Sequence, residues 1–283
     1  MSTTTSTETA VVVSLANAAY ARSGMVDNWL RSLRAVGIRA EVVVYALDRE
    51  AQGVLTRQGV PCIPLPGEPG DIPRQQPRFR SPAWKRLVLT KLTVIQRHLA
   101  KNQAVLFSDL DVCFLRDPLD WLHAQTPKDG ISLQSDWLCQ EPASVKRLCS
   151  GFMYLRPGPR TMGVCDLDRA DVDDFPSDQP LLNHRLRNNR EAPFVELAID
   201  AVPNGPRWDA LEADARQAAY ALHLSYVLGL QQKVKFLRKA GLWHTRHGRT
   251  EYWRLRTQAH LRTLRGQPTC FLRNLRGHLV AAA

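Results

Sequence analysis

The sequence lacks several features that would assign a chain quickly, and each absence removes a class. It has no Cys-x-x-Cys, and Cys62, Cys113, Cys139, Cys149, Cys165 and Cys270 make no close pattern with histidine. That argues against zinc and offers no disulfide framework, so the thiols read as small buried side chains. No apolar stretch approaches the ~20 residues that span a bilayer. Met1 to Ala10 is Ser/Thr-rich, with Glu8 its one charged side chain, and has neither the basic nor the apolar region of a signal peptide. The expectation is therefore a cytoplasmic protein. Gly-x-Gly-x-x-Gly and Gly-x-x-x-x-Gly-Lys-Ser/Thr are both missing, which excludes a dinucleotide fingerprint and a P-loop. Any phosphate must be held by metal and cationic side chains. There is no internal repeat.

What is present is a chain of 283 residues, 44% of them hydrophobic, enough for one large or two small domains. Its formal charge of +11, from 38 Lys and Arg against 27 Asp and Glu, favours anionic partners. Basic residues gather in Pro73 to Arg97 and Lys233 to Arg276, acidic ones in Asp166 to Asp178. The run from Arg246 to Arg276 reads as a solvated helical face. The alternative is a nucleic-acid-binding surface, or a transferase acting on a hydroxylated nucleic-acid base through this segment; against it stand the lack of a recognised reading motif and few interleaved aromatics (Tyr252, Trp253, Phe271).

Along the chain, Val11–Leu15 and Val42–Leu47 read as buried strands, Val26–Val36 and Arg49–Gln58 as helices, and Gly59–Ile63 as a short third strand. Gly37 stops the first helix. This β-α-β-α-β start predicts a parallel, doubly wound sheet. The proline-rich stretch from Pro64 to Pro82 is a loop over it. Trp84–Leu99 is a helix, Ala104–Phe107 a strand, and Asp117-Pro118 opens a short helix with Asp117 as cap. Ile131–Gln134 and Gly151–Leu155 are further strands; Thr161–Asp168 and Gln179–Arg187 are helical.

The most informative stretch is Ala104 to Leu115, where an apolar run ends in Asp109-Leu110-Asp111 and then resumes. Carboxylates at the end of a buried strand need compensation by a cation or hydrogen-bond donors. In extended chain, residues two apart point to the same side, and two such carboxylates suit a hard divalent ion that also holds phosphate oxygens. The similar triplets Asp166-Leu167-Asp168 and Asp171-Val172-Asp173 lack that apolar context and read as solvated carboxylates. In parallel sheets, ligands sit beyond the carboxyl ends of the strands. Asn17, Asp48 and the Asp109/Asp111 pair all fall at such ends, which points to one site built from three loops.

These residues resemble the nucleotide-diphospho-sugar transferase family of retaining glycosyltransferases, glycosyltransferase family 77 and its relatives. The likeness rests on eight ordered blocks between Val11 and Trp243: Val11–Ile38, Val42–Asp48, Trp84–Leu99, Val105–Leu119, Ser132–Asp136, Ser150–Thr161, Ser177–Asn183 and His223–Trp243. It implies an α/β fold of the GT-A type, a Rossmann-like, mostly parallel central sheet flanked by helices. It also implies a nucleotide-sugar donor, UDP-linked first among candidates, an acceptor glycan, protein or small molecule, and Mn²⁺ or Mg²⁺. Residues 11–245 would form this domain, between a flexible start (1–10) and a basic, helical C-terminal extension (246–283).

Carried over residue by residue, the resemblance makes Asp109, Asp111 and His223 the metal ligands, with Asp109 also on the ribose. Ala16, Asn17 and Lys91 would approach the nucleotide, and Lys233 would grip the diphosphate. Asp178 and Gln179 would lie under the donor sugar as the catalytic pair, Asp178 on its hydroxyls and Gln179 near the anomeric face. Gln134, Asp136, Gly151 and Phe152 would face sugar or acceptor. The chain departs from the family pattern twice. Cys149-Ser150 stand before Gly151 where relatives carry two Asn, and His223-Leu224-Ser225-Tyr226 replaces His-x-Asn-Trp. Both changes bear on sugar specificity.

Overall fold

The computed structural model describes residues 9–65, 81–136 and 147–245. The chain divides into two units, Met1–Trp243 and His244–Ala283, and every element below belongs to the first. The basic extension expected over 246–283 and most of the proline-rich loop lie outside the described residues.

The chain runs β1 (Ala10–Ala16), α1 (Ala18–Ser23), α2 (Met25–Ala35), β2 (Glu41–Ala46), α3 (Arg49–Arg57), β3 (Cys62–Pro64) and α4 (Pro82–Leu99). It continues through β4 (Ala104–Ser108), β5 (Val112–Phe114), α5 (Leu119–Gln125), β6 (Ile131–Ser135) and β7 (Leu148–Leu155). The remaining elements are α6 (Pro159–Val164), α7 (Asp178–Asn183), β8 (Phe194–Leu197), α8 (Gly205–Ala210), α9 (Ala213–Ala218), β9 (Ala221–His223) and α10 (Leu230–Lys239).

Seven strands form one sheet in the order β3-β2-β1-β4-β7-β6-β8, and β5 pairs with β9 in a two-stranded sheet. β3, β2, β1 and β4 are mutually parallel, as the opening rhythm predicts. β7 is not: it runs antiparallel to both β4 and β6. Pro64, read as the start of the loop, ends β3 instead, where an edge strand tolerates a residue without an N–H.

Strand alternation sorts the core. Val11, Val13, Val105 and Phe107 pack with Leu92, Ile95 and Leu99 of α4 on one face. Val12, Val44, Leu106 and Phe152 pack with Trp29, Leu33 and Leu55 of α2 and α3 on the other. Covering both faces explains why these strands are apolar throughout. Local signals set the helix ends. Gly37 takes φ +77° after α2, with Gly37 N–H on Arg34 O and Ile38 N–H on Leu33 O. Ser81 Oγ accepts from Trp84 N–H at the start of α4. Asp117 accepts from Leu119 N–H, but α5 begins one residue after Pro118 rather than at it.

Beyond β1, Ala18–Tyr20 belong to α1, capped by the Asn17 side chain. Two readings need correction. The helix read as Thr161–Asp168 ends at Val164, and α7 gives way to a π-turn over His184–Asn188. Asp171 is not simply solvated, because it receives two hydrogen bonds, 3.0 and 2.6 Å, from the fully buried Arg185. Arg185 also donates to Val164 O and Asp166 O, both at 2.7 Å, tying the turn after α7 to the end of α6. The Arg185 guanidinium holds the Asp171 carboxyl below its usual range, and Arg169 does the same to Glu191. Both contributions are present above the unfolded carboxylate range and are lost as pH falls through the lowered folded values. Asp171→Asn strands a buried cation and is expected to destabilise the fold by about 3 kcal/mol in urea denaturation at pH 7, with a smaller loss near pH 3.

Candidate functional site

The site lies at the carboxyl ends of β1 and β4, where the chain's winding changes direction, the usual ligand position in such sheets. The end of β4 is anchored from neighbouring elements: Ser14 Oγ donates to Ser108 O (2.7 Å) and Trp29 Nε1 donates to Ser108 Oγ (2.8 Å). Beyond it the backbone turns, with Val112 N–H on Asp109 O at 3.1 Å. Asp109 and Asp111 therefore meet through a turn, not through the pleat of an extended strand, and Leu110 between them packs into the core.

His223 reaches the pair by sheet pairing across a long sequence gap. β5 and β9 run antiparallel with Val112 opposite His223, and Leu224 N–H donates to Asp111 O at 3.1 Å. Its Nε2 lies 3.5 Å from Asp111 Oδ1 and 3.9 Å from Asp109 Oδ2. Its Nδ1 donates to Gln134 Oε1 at 2.6 Å, while Gln134 Nε2 donates to Val202 O at 2.9 Å. That pair of bonds fixes the amide, then the ring, and leaves Nε2 as the atom facing the carboxylates.

One ligand atom each from Asp109, Asp111 and His223 falls within 4.8 Å of the others. Two carboxylate oxygens and an imidazole nitrogen are a donor set that suits Mn²⁺. Gly151 on β7 faces this cluster, and a Cβ there would stand 2.3 Å from His223 Cε1 and 2.7 Å from Asp109 Oδ2. The residues present thus fit a divalent ion, and the backbone at Gly151 leaves the space.

Two lysines neutralise the carboxylates. Lys91, on α4, is buried and lies 2.8 Å from Asp178 Oδ2 and 3.7 Å from Asp109 Oδ1, with Ser150 O at 3.2 Å. Lys233, in the first turn of α10, pairs with Asp111 Oδ2. Burial alone would raise the Asp111 pKa, but Lys233 and His223 outweigh it and hold the carboxyl well below its usual range. Burial would lower the His223 pKa, but the Asp111 charge outweighs it and raises the imidazole well above its ordinary value. On the far side, Gln179 Nε2 donates to Asp136 Oδ2 at 2.7 Å, and Gln179 Oε1 accepts from Ser150 N–H at 3.4 Å. Burial pushes the Asp136 carboxyl up.

The structure thus gathers Asp109, Asp111, His223, Lys91, Lys233, Asp178, Gln179, Asp136 and Gly151 around one end of the sheet. It puts four expected contacts, Ala16, Asn17, Gln134 and Phe152, to other uses. Ala16 and Phe152 are fully buried, Phe152 because it follows Gly151 and so points to the opposite face of the sheet. Gln134 is fully buried behind His223. Asn17 is spent on capping α1, and Asp48 accepts from Ala18 N–H and Ala51 N–H at 3.0 and 2.8 Å, so both secure loops. Sequence reasoning passed over Tyr20, which lies beside Lys233 and whose phenol is pushed up by burial. The Asn17–Tyr20 capping spacing is the one signal that would have put it on a helix at the strand end.

Residues 37–237 match the model of the nucleotide-diphospho-sugar transferase family. The chain belongs to this family. A relative among known transferases is the beta-arabinofuranosyltransferase RAY1 of Arabidopsis thaliana, 26% identical over 255 residues, covering 82% of this chain and 47% of that protein. The chain therefore spans about half the length of that relative. Among solved structures, the galactosyltransferase LgtC in complex with donor and acceptor sugar analogues superposes with TM-score 0.51 at 15% identity, over 83% of this chain and 96% of that one. The glycosyltransferase GlyE of Streptococcus pneumoniae TIGR4 gives 0.51 at 12% identity, over 86% and 66%. At such identities the likeness is one of fold, the GT-A fold. Within this transferase family member, Gly151→Ala is expected to displace His223 and cost about 1–3 kcal/mol of stability by overpacking, read by urea denaturation.

Proposed function

We propose that this chain is a metal-dependent glycosyltransferase. It moves a sugar, with retention of configuration, from a nucleotide-diphosphate sugar, UDP-linked first among candidates, to an acceptor hydroxyl on a glycan, protein or small molecule. The observation that carries the reading is the Asp109–Asp111–His223 cluster at the sheet's carboxyl edge, in a chain of the nucleotide-diphospho-sugar transferase family. The name of the arabinofuranosyltransferase relative puts arabinofuranose beside galactose and xylose among the donor sugars to try.

Asp109, Asp111 and His223 would hold Mn²⁺ or Mg²⁺, which when bound neutralises charge on the leaving nucleoside diphosphate. Asp109, with a half-exposed side chain, also has room to meet the ribose. Lys233 supplies a point charge to the diphosphate. Lys91 orients Asp178 beneath the sugar, where its carboxylate oxygens can accept from sugar hydroxyls. Gln179, held between Asp136 and Ser150, faces the anomeric carbon but is no nucleophile of the kind retaining hydrolases use. Transfer then proceeds on the front face through an oxocarbenium-like state, with the leaving phosphate oxygen taking the acceptor proton. The rate comes from positioning and electrostatics. Gln134 acts through His223 and touches no substrate. Among the described residues no helix is long and apolar enough to cross a membrane.

A thermal-shift panel of UDP-, GDP- and CMP-sugars with and without Mn²⁺ tests the reading. One nucleotide class is expected to raise the melting temperature only with Mn²⁺, and Asp111→Asn to abolish that shift. No shift with any donor in folded protein rejects the transferase assignment. Gln134→Leu, which frees the His223 ring, is expected to weaken Mn²⁺ by about 10–100-fold in calorimetric titration while the fold persists.

A further inference from the structure

We propose that Lys233 is an internal stand-in for the divalent ion. In the ligand-free protein its ammonium occupies Asp111, and it must leave that carboxylate before an ion can take it. The inference rests on the reading of Asp109, Asp111 and His223 as an ion site.

Asp111 is almost wholly buried, with Lys233 on Oδ2 and His223 Nε2 3.5 Å from Oδ1, so both of its oxygens already face a cationic or donor group. A dication added to this carboxylate would sit beside the ammonium, and like charges at such range repel.

Of the two lysines only Lys233 can yield. Lys91 is locked between Asp178 and Ser150 with its ammonium over the Phe107 ring. Lys233 keeps a partly exposed side chain on the first turn of α10, just after Gly229, whose φ of +83° turns the chain into that helix. Its four-carbon stem lets the ammonium swing without backbone movement. A diphosphate offers the departing ammonium an anionic partner, so each ligand removes the obstacle to the other. By linkage, ion and diphosphate then bind with positive cooperativity.

The test is a calorimetric titration of the full chain with Mn²⁺ alone, for wild type, Lys233→Met, Lys233→Arg and Asp111→Asn, each checked for folding by circular dichroism. Lys233→Met is expected to bind Mn²⁺ about tenfold more tightly than wild type, with Lys233→Arg as weak as wild type. Unchanged or weaker binding by Lys233→Met overturns the proposal, since ion and ammonium then use different oxygens. Tighter binding by both variants overturns it too, because charge is then not the cause. Should Lys233→Met fail to fold, Lys233→Gln takes its place under the same criteria. If Asp111→Asn binds Mn²⁺ as wild type does, the ion-site reading itself fails, an outcome distinct from the others.

Discussion

Burying carboxylates is the constraint around which this end of the molecule is arranged. Asp111 and Asp178 are removed from water and Asp109 stands beside them, and an uncompensated charge in such a place is strongly destabilising. The fold answers with cations delivered from opposite directions: Lys91 from α4 under the sheet and Lys233 from α10 across the mouth. His223 completes the set from β9. Because these partners come from separate elements, the same interactions that make the carboxylates tolerable also hold α4, α10 and β9 to the central strands. Charge compensation and site assembly are one event.

A second layer fixes the direction of these groups. Gln134 spans Val202 and His223, so the ring cannot rotate without breaking a fully buried amide bond pair. Gln179 spans Asp136 and Ser150, and Arg185 anchors the turn that follows α7. Groups held this way lose little freedom when substrate arrives, which is what an active site relying on positioning requires. Gly151 belongs to the same logic by subtraction, since the absence of a side chain leaves room upon which His223 and Asp109 converge.

The departures Cys149-Ser150 have visible local consequences. Ser150 gives Lys91 a carbonyl and a hydroxyl at 3.2 and 3.3 Å, and Cys149 Sγ lies 3.7 Å from His223 Nδ1. Burial pushes that thiol up, so it stays neutral beside the imidazole. These residues thus touch the charge-bearing side chains directly, and a change of type here reshapes the surroundings of Lys91 and His223 without altering either.

By itself the sequence determined the parallel half of the sheet, the helices α2, α3 and α4, and the position of Asp109 and Asp111 at the end of a buried strand. Those features rest on short-range pattern: apolar runs of strand length, helical spacing, a glycine stop, and acids at the end of a buried run. Tertiary structure decided the rest. The antiparallel course of β7, the pairing of β5 with β9 that sets His223 beside Asp111, and the bonds that turn Gln134 toward His223 all join residues far apart in the chain. No local periodicity encodes such partners. Asp171 shows the same limit from the other side: its sequence surroundings match those of any exposed acid, and only the packed position of Arg185 makes it part of the interior.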